Sequence, residues 1–181
     1  MTRARVANVE DALAIARIYC AAADRRTARA EDYNEGIADR LATFETEPRT
    51  ADDITRGLRE RAQRWPTVVV EREGRVIAWA SASEYRARAC YAGVAEFSVY
   101  VAREARGTGA GRAAMDALVS ECEGRGIWKL LSRVFPENEP SRKLLAKVGF
   151  REVGTYRRHG RLDGEWRDTV IVERLIGEAA R

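Results

Sequence analysis

The spacing of hydrophobic residues changes along the chain, and each spacing predicts one type of element. Apolar residues that alternate with polar ones or run together over short segments predict β-strands. Apolar residues three or four positions apart predict helices. The predicted strands are residues 3–6, 67–71, 75–83, 95–101, 128–134, 151–156 and 169–176, and the predicted helices are residues 11–23, 50–64, 108–125 and 138–148. This order predicts an α+β fold, with a central mixed β-sheet of about seven strands flanked by about four helices.

The length and composition of the chain limit the possible classes of protein. Because the 181 residues contain no repeat, linker or low-complexity tract, residues 1–181 are expected to form a single domain. A content of 45% hydrophobic and 33% charged residues is typical of a soluble globular protein. The N-terminal residues lack the apolar core of a signal peptide, and no apolar stretch approaches the roughly 20 residues of a membrane span. We therefore expect a cytoplasmic protein without a membrane partner.

Charge and cysteine usage argue against two kinds of binding site. The 32 Lys and Arg residues exceed the 28 Asp and Glu residues by only four, and both signs are interleaved along the chain. Proteins that bind nucleic acid usually gather basic residues on one surface, so no nucleic-acid partner is expected. Cys20, Cys90 and Cys122 are scattered without a CxxC pair, which predicts reduced thiols and no metal site.

The segment RGTGAG at residues 106–111 carries the strongest chemical motif. It lacks the Lys-Ser/Thr that a Walker phosphate loop requires. The dinucleotide fingerprint fits Gly109 and Gly111, but seven residues separate Gly109 from the preceding predicted strand, and the expected acidic residue is absent near 131–133. Two interpretations remain open: a plain glycine turn before a helix, and the pyrophosphate loop of an enzyme that uses acetyl-CoA.

The physical properties of this loop suit a pyrophosphate. Glycines without a Cβ atom let successive backbone N–H groups point at one anion, and the N-terminal end of the following helix adds positive potential. Arg106 and Arg112 flank the glycines and provide charge-assisted hydrogen bonds.

Five segments in a fixed order carry a resemblance to a known family. They are TFETEPRT (43–50), YRARACYAGVAEFSVYV (85–101), RGTGAGR (106–112), FPENEPSRKLLAKVGF (135–150) and RLDGEWRD (161–168). Over nearly its whole length the chain resembles the GNAT superfamily of N-acetyltransferases, and within it the phosphinothricin and arsinothricin acetyltransferase group. The resemblance implies the GNAT fold, acetyl-CoA as cosubstrate and a homodimer.

The resemblance also implies which residues bind acetyl-CoA. The strand segment Val99, Tyr100 and Val101 pairs with the pantetheine arm, and one of its N–H groups polarises the thioester carbonyl. The remaining cofactor residues implied are Arg106, Gly107, Thr108, Gly109, Ala110, Gly111, Arg112, Asn138 and Ser141. For Asn138 a simple helix N-cap is the alternative interpretation, and the two roles are compatible.

Glu96 is the candidate general base. Strand alternation places it on the same face as Ser98 and Tyr100, and a carboxylate within an apolar strand needs either a partner or a function. The family has a glutamate at this position; the alternative is an ion pair with an arginine. Many GNAT enzymes carry a tyrosine seven residues after the asparagine as general acid, but Leu145 stands there in this chain. The general acid therefore stays unassigned among Tyr100, Tyr156 and water.

The acceptor site is implied by residues 85–91 and by Phe44. Arg86 and Arg88, flanked by Tyr85 and Tyr91, suit an oxyanionic group, whereas the alternative is that they are solvated surface charges. Phe44 is expected to form a wall of this site. Residues 20–32 are an insertion relative to the resembling group, and His159 is expected in a turn between the last two strands.

The function that these residues and the resemblance favour is N-acetylation of the α-amino group of a small amino acid. The expected side chains are oxyanionic, as in phosphinothricin, arsinothricin or methionine sulfoximine. The alternatives are acetylation of another amine, such as a peptide N-terminus, a polyamine or an aminoglycoside, and a non-catalytic acetyl-CoA sensor.

Overall fold

The computed structural model describes residues 2–19, 40–47 and 49–181. Its strands are β1 (Thr2–Val6), β2 (Thr67–Arg72), β3 (Arg75–Glu84), β4 (Val94–Val101), β5 (Lys129–Val134), β6 (Arg151–Leu162) and β7 (Glu165–Leu175). Its helices are α1 (Ala12–Tyr19), α2 (Ala51–Arg61), α3 (Ala110–Gly124) and α4 (Glu139–Lys147). The part of the first predicted helix beyond Tyr19 lies outside the described residues.

All seven strands belong to one mixed sheet. Their order is β1-β2-β3-β4-β5-β7-β6, and every neighbouring pair is antiparallel except β4 and β5. The seven-stranded mixed sheet and the α+β class predicted from the sequence are confirmed.

The parallel pair β4 and β5 separates part-way along its length. The two strands are paired only from Val94 with Lys129 to Glu96 with Leu131. Beyond these residues β4 continues to Val101 and β5 to Val134 without pairing to each other. The sheet therefore opens in the middle, and backbone N–H and C=O groups of β4 remain available along that edge.

The helices cover both faces of the sheet. On one face Tyr19 of α1 packs edge-on against Trp79 and Tyr100, with ring centroids 5.7 and 4.9 Å away. On the other face α3 lies against Val101, because a Cβ added at Gly111 would come within 3.1 Å of the Val101 side chain. None of the helices in the described ranges is long and apolar enough to span a membrane.

Helices α2, α3 and α4 differ in how their first turns are capped. Thr50 and Asp53 form the predicted capping box of α2, with N–H to side-chain oxygen distances of 3.0 and 3.2 Å. Asn138 caps α4 by accepting a 3.2 Å hydrogen bond from the Ser141 N–H. The N-cap of α3 is Gly109, which has no side chain to cap its first turn. The amides of that turn therefore need another partner.

The last hairpin corrects one sequence expectation. Strand β6 runs to Leu162, so the turn lies at Asp163 and Gly164, not at His159. The residues around His159 instead form an irregularity in the β6–β7 pairing. There Arg158 has a φ of 49°, and its N–H donates a 2.7 Å hydrogen bond to the Asp168 carboxylate. The arginine and glycine residues that suggested a turn accommodate this bulge.

Candidate active site

Two adjoining cavities occupy the opening between β4 and β5. The Glu96 cavity, about 480 Å³, is lined by the middle of β4 and by β5. The glycine-loop cavity, about 530 Å³, is lined by the end of β4 and by residues 105–107, 109, 111 and 112. Five residues line both cavities: Ala42, Val99, Tyr100, Asn138 and Ser141. Because the wall is shared, a molecule extending along β4 passes from one cavity into the other.

At the centre of the glycine-loop cavity the exposed surface is backbone, because the residues there are glycines. Gly107 and Gly109 have φ angles of 76° and 89°, a region that residues with a Cβ atom rarely adopt, and open space lies beside both. Gly111 allows α3 to approach α4, since a Cβ there would lie 2.9 Å from Leu144 Cδ2. This loop and the first turn of α3 form a concave surface suited to an anion.

Basic side chains surround that surface. Arg106, Arg112 and Lys147 line the cavity, and Arg112 lies 3.5 Å from the Asp116 carboxylate. The cations outnumber that carboxylate, which favours a ligand with more than one negative charge.

Most of the predicted cofactor residues meet in this cavity. Those that line it are Val99, Tyr100, Val101, Arg106, Gly107, Gly109, Gly111, Arg112, Asn138 and Ser141. Thr108 and Ala110 do not line it. The Thr108 hydroxyl donates a 2.7 Å hydrogen bond to the Ala105 carbonyl, and Ala110 is buried beneath the loop.

Glu96 lies in the wall of the other cavity, at the last residue of β4 that pairs with β5. Its carboxylate accepts a hydrogen bond from the Arg133 guanidinium, and its side chain remains 30% exposed. The ion pair considered as an alternative from the sequence is thus present, and the paired carboxylate also lines the cavity. Arg133 lies two residues beyond Leu131, the β5 residue opposite Glu96, so strand alternation carries it to the same face.

Aromatic rings close one side of the Glu96 cavity. Phe44 packs edge-on against Phe135, with centroids 4.8 Å apart, and both rings line the cavity. Gly160 makes room for Phe44, because a Cβ at this position would lie 2.8 Å from Phe44 Cε1. Phe44, predicted to form a wall of the acceptor site, therefore lies in the wall of the Glu96 cavity.

Two phenols, Tyr19 and Tyr100, also line this cavity. Tyr100 stacks on Trp79 with a centroid distance of 4.9 Å, and Tyr19 meets both rings edge-on. Burial raises the pKa of Tyr19 to about 12, and burial also raises the pKa of Tyr100. Both hydroxyls stay protonated at neutral pH, so they serve as hydrogen-bond donors and are weak acids.

The start of α4 forms the junction between the cavities. Besides capping α4, the Asn138 amide donates a 3.0 Å hydrogen bond to the Leu41 carbonyl. Asn138 therefore joins Leu41 to the start of α4 while lining both cavities. Leu145, further along the helix, is 1% exposed and lines the Glu96 cavity without a polar atom.

The structure places residues 85–91 outside both cavities. The Tyr85 and Tyr91 rings meet edge-on at 5.5 Å, and the Arg86 guanidinium lies 5.2 Å from the Tyr85 ring centroid. Arg88 is exposed at the start of a short 3-10 helix. None of these four residues lines the Glu96 cavity within the described chain.

Several residues of the Glu96 cavity were not identified from the sequence as site residues. Arg133, Thr43 and Thr169 line it, and His159 reaches it from the bulge in β6. The Thr169 hydroxyl is buried without a hydrogen-bond partner in the described ranges, so a polar ligand atom would satisfy it. Only His159, the single histidine, had a signal in the sequence, and its position depended on the bulge.

The protein-family comparison decides the family. The model described as the acetyltransferase (GNAT) family matches residues 31–150. The chain belongs to the GNAT acetyltransferase family. It is thus an N-acetyltransferase with the GNAT fold, and its acetyl donor is acetyl-CoA. Where side chains are described, no group of three His, Cys, Asp or Glu residues could hold a metal ion.

Three similar proteins have names that state a substrate. The chain is 33% identical over 148 residues to a phosphinothricin N-acetyltransferase from Streptomyces coelicolor, covering 80% of this chain and 86% of the relative. It is 28% identical over 170 residues to an L-methionine sulfoximine/L-methionine sulfone acetyltransferase from Pseudomonas aeruginosa, covering 93% and 91%. A Sinorhizobium meliloti phosphinothricin acetyltransferase, solved in complex with acetyl-CoA, has a TM-score of 0.83 at 29% identity and covers 98% and 89%. These relatives act on small amino-acid substrates.

Proposed function

We propose that this protein acetylates the α-amino group of a small amino acid with an oxyanionic side chain. Phosphinothricin, arsinothricin and methionine sulfoximine are the acceptors to test. The observation that carries the proposal is the Glu96 carboxylate in a cavity of about 480 Å³ that shares a wall with the glycine-loop cavity. The relatives named for phosphinothricin and methionine sulfoximine support the class of acceptor.

The glycine-loop cavity fits acetyl-CoA, which supplies the acetyl group as a thioester when bound. The Gly107 and Gly109 amides and the first turn of α3 would hold the pyrophosphate, with Arg106 and Arg112 beside it. The unpaired edge of β4 at 99–101 would hydrogen-bond the pantetheine arm, as an added strand does. Asn138 and Ser141, which line both cavities, would contact the arm where it reaches the acceptor.

Glu96 would act on the acceptor amine. An amino-acid amine is largely protonated at neutral pH, so the amine must lose a proton before it attacks a carbonyl carbon. Glu96 would take that proton, directly or through a water molecule, and a positioned base contributes about 10²–10⁴-fold in rate. Arg133 would fix the direction of the carboxylate through its hydrogen bond to Oε1.

None of the side chains considered from the sequence as general acid is matched to the departing thiolate in the described part of the site. Leu145 offers no hydroxyl, and the raised pKa of Tyr100 makes its phenol a hydrogen-bond donor instead of an acid for a thiolate. Tyr156, the other tyrosine considered, is 53% exposed on β6 and does not line either cavity. A water molecule would therefore protonate the thiolate.

Thiol release from acetyl-CoA tests this function. The acceptors would carry phosphinate, arsinate, sulfoximine or carboxylate side chains, and Glu96→Gln would run beside the parent protein. We expect selective turnover that falls about 10²–10⁴-fold in Glu96→Gln, with acetyl-CoA binding unchanged. Glu84→Gln is the matched control, because Glu84 is an exposed glutamate at the end of β3 outside both cavities.

The same assay separates the alternatives. Turnover only with polyamines or peptide N-termini would overturn the proposed acceptor class but keep the chemistry. Bound acetyl-CoA without turnover of any amine would indicate a sensor. The homodimer, the cytoplasmic location, the single domain over 1–181 and an acceptor role of Tyr85, Arg86, Arg88 and Tyr91 stay predictions.

A further inference from the structure

A third, smaller cavity adjoins the Glu96 cavity on the face covered by α1 and α2. This polar chamber, about 230 Å³, shares Tyr19, Glu45, Ser83 and Ser98 with the Glu96 cavity. The shared residues place the chamber next to the candidate base, on the side away from β5. An acceptor held at Glu96 could therefore extend into it.

The floor of the chamber is a ladder of paired residues on β3 and β4. Ser83 pairs with Glu96, Ser81 with Ser98, and Trp79 with Tyr100. Because residues two apart in a strand point to the same face, all of these side chains lie on one side of the sheet. Ser98 follows Glu96 by two residues on β4, a Cα spacing of about 7 Å, and Ser81 pairs with Ser98 on β3.

The chamber wall includes the positively charged side chain of Arg61. Its Nε donates a 3.0 Å hydrogen bond to the Gly57 carbonyl, and no carboxylate among the described residues forms an ion pair with it. Burial and the neighbouring Arg49 guanidinium lower the pKa of Arg61, so the charged form is destabilised in the absence of an anion. Arg49 itself is paired with Glu45 at 2.6 Å.

A glycine inside α2 allows Arg61 to adopt this position. Glycine in a helix interior is unfavourable compared with alanine, so its presence needs a reason. A Cβ added at Gly57 would clash with the Arg61 guanidinium and lie 3.3 Å from its Cζ. Gly57 therefore provides the space into which the Arg61 guanidinium folds.

The chamber also holds an unused hydrogen-bond donor. Trp79 is 6% exposed and lines the chamber, and its indole N–H has no acceptor in the parts of the chain that the structure describes. Two guanidiniums against the single Glu45 carboxylate leave the lining with an excess positive charge. Donors and positive charge in one small space are the properties of a site for an oxyanion.

We propose that the polar chamber binds the side-chain oxyanion of the acceptor, with Arg61 as the charged residue and the Ser81–Ser98 hydroxyls beneath it. This inference rests on the proposed function and assigns a place to one part of its substrate. The phosphorus of phosphinothricin lies four bonds from the α-nitrogen, whereas the α-carboxylate carbon lies two bonds away. With the amine at Glu96, the phosphinate, and not the α-carboxylate, reaches the Ser81–Ser98 pair.

The test is the dissociation constant of phosphinothricin, measured by calorimetry on the CoA-bound protein. Arg61→Met should weaken binding about 10- to 100-fold, because it removes a charge-assisted hydrogen bond. Arg59→Met is the matched control, since Arg59 is an exposed arginine of the same helix that does not line the chamber, and it should bind like the parent. The loss in Arg61→Met should persist with the α-amide of phosphinothricin, which lacks the α-carboxylate charge.

Gly57→Ala gives a second test that separates binding from folding. Alanine improves the helix, and the group it displaces is the end of a flexible side chain. The melting temperature should therefore stay equal or rise by about 2 °C, while phosphinothricin binding weakens.

Two results would overturn the inference while leaving the proposed function intact. One is that the parent protein acetylates phosphinothricin, but Arg61→Met binds phosphinothricin as tightly as the parent does. The other is an Arg61→Met effect that vanishes with the α-amide, which would assign Arg61 to the α-carboxylate. A parent protein that neither binds nor acetylates phosphinothricin or its analogues would overturn both.

Discussion

The two cavities of the active site are built in opposite ways. The glycine-loop cavity comes mainly from one continuous stretch, residues 99–112, together with α4. The Glu96 cavity combines residues from α1, residues 42–45, five strands and α4. The first presents backbone amides whose positions follow from local conformation. The second depends on side chains that only the tertiary fold brings together, so it is the half in which acceptor specificity can change.

Among substitutions that separate the functions of the two cavities, Gly160→Val should have the largest effect. The new side chain would displace Phe44, whose ring lies 2.8 Å from the position of a Cβ, and so reshape the Glu96 cavity. We expect kcat/KM for the acceptor to fall about 10²-fold, as misplacement of a substrate by about 1 Å can do, with KM for acetyl-CoA unchanged. Gly154→Val on the same strand has open space and should match the parent. A parallel rise in KM for acetyl-CoA would mean that the two cavities do not function separately.

The converse change is Gly109→Ala, which acts on the backbone of the other cavity. At a φ of 89° an alanine is strained by about 1–2 kcal/mol, and the loop amides would shift. We expect KM for acetyl-CoA to rise about 10-fold through the loss of one anion-binding hydrogen bond, with acceptor binding unchanged.

Gly74→Ala is the matched control for strain. Gly74 has a φ of 75° in the β2–β3 turn and also has open space beside it. It should lose similar stability and keep its KM for acetyl-CoA. Equal KM values in both variants would argue that the loop amides do not hold the pyrophosphate.

The difference between the cavities explains what the sequence could predict. The glycine loop, the strand before it and the helix after it are consecutive, so their order and spacing are sufficient to place them. The same holds for the capping box of α2, where Thr50 and Asp53 are three residues apart and bond each other as predicted. In the predicted cofactor segment only Thr108 and Ala110 fall outside the cavity lining.

The residues that sequence did not identify depend on register and irregularity. Arg133 reaches Glu96 because β4 and β5 are paired at Leu131, a contact between strands separated by α3. His159 reaches the cavity because a bulge, fixed by the hydrogen bond from the Arg158 N–H to Asp168, replaces the expected turn. Neither the inter-strand register nor the bulge has a local sequence pattern, so periodicity could not place these side chains.

Tyr19, in the wall of the Glu96 cavity, has a raised pKa that makes the stability of the protein depend on pH. Because burial raises this pKa to about 12, above the ordinary value of about 10, the folded protein holds the phenolic proton more tightly than the unfolded chain does. The stabilisation of the folded state by this difference in pKa is complete below pH 10 and is lost as the pH rises towards 12. From pH 8 to pH 11, urea unfolding should show the parent losing about 1 kcal/mol more than Tyr19→Phe.

Tyr156→Phe is the control for the loss of a phenol hydroxyl at an exposed position, because its ring is 53% exposed on β6, and its stability should follow that of the parent. Identical losses in the parent and Tyr19→Phe would show that water fills the Glu96 cavity around the Tyr19 hydroxyl.

The smallest effect concerns the two described cysteines, Cys90 and Cys122, neither of which lines a cavity. Burial raises the pKa of Cys122, in α3, to about 12, so only about 10⁻⁴ of this thiol is ionised at pH 8. In a Cys20→Ser background, a maleimide should therefore modify exposed Cys90 in the native protein and Cys122 only after unfolding. Modified Cys90 should change KM for the acceptor less than about threefold, because residues 85–91 lie outside both cavities. Protection of Cys90 by the acceptor, or a tenfold rise in its KM, would instead assign Arg86 and Arg88 to the acceptor site, as the sequence predicts.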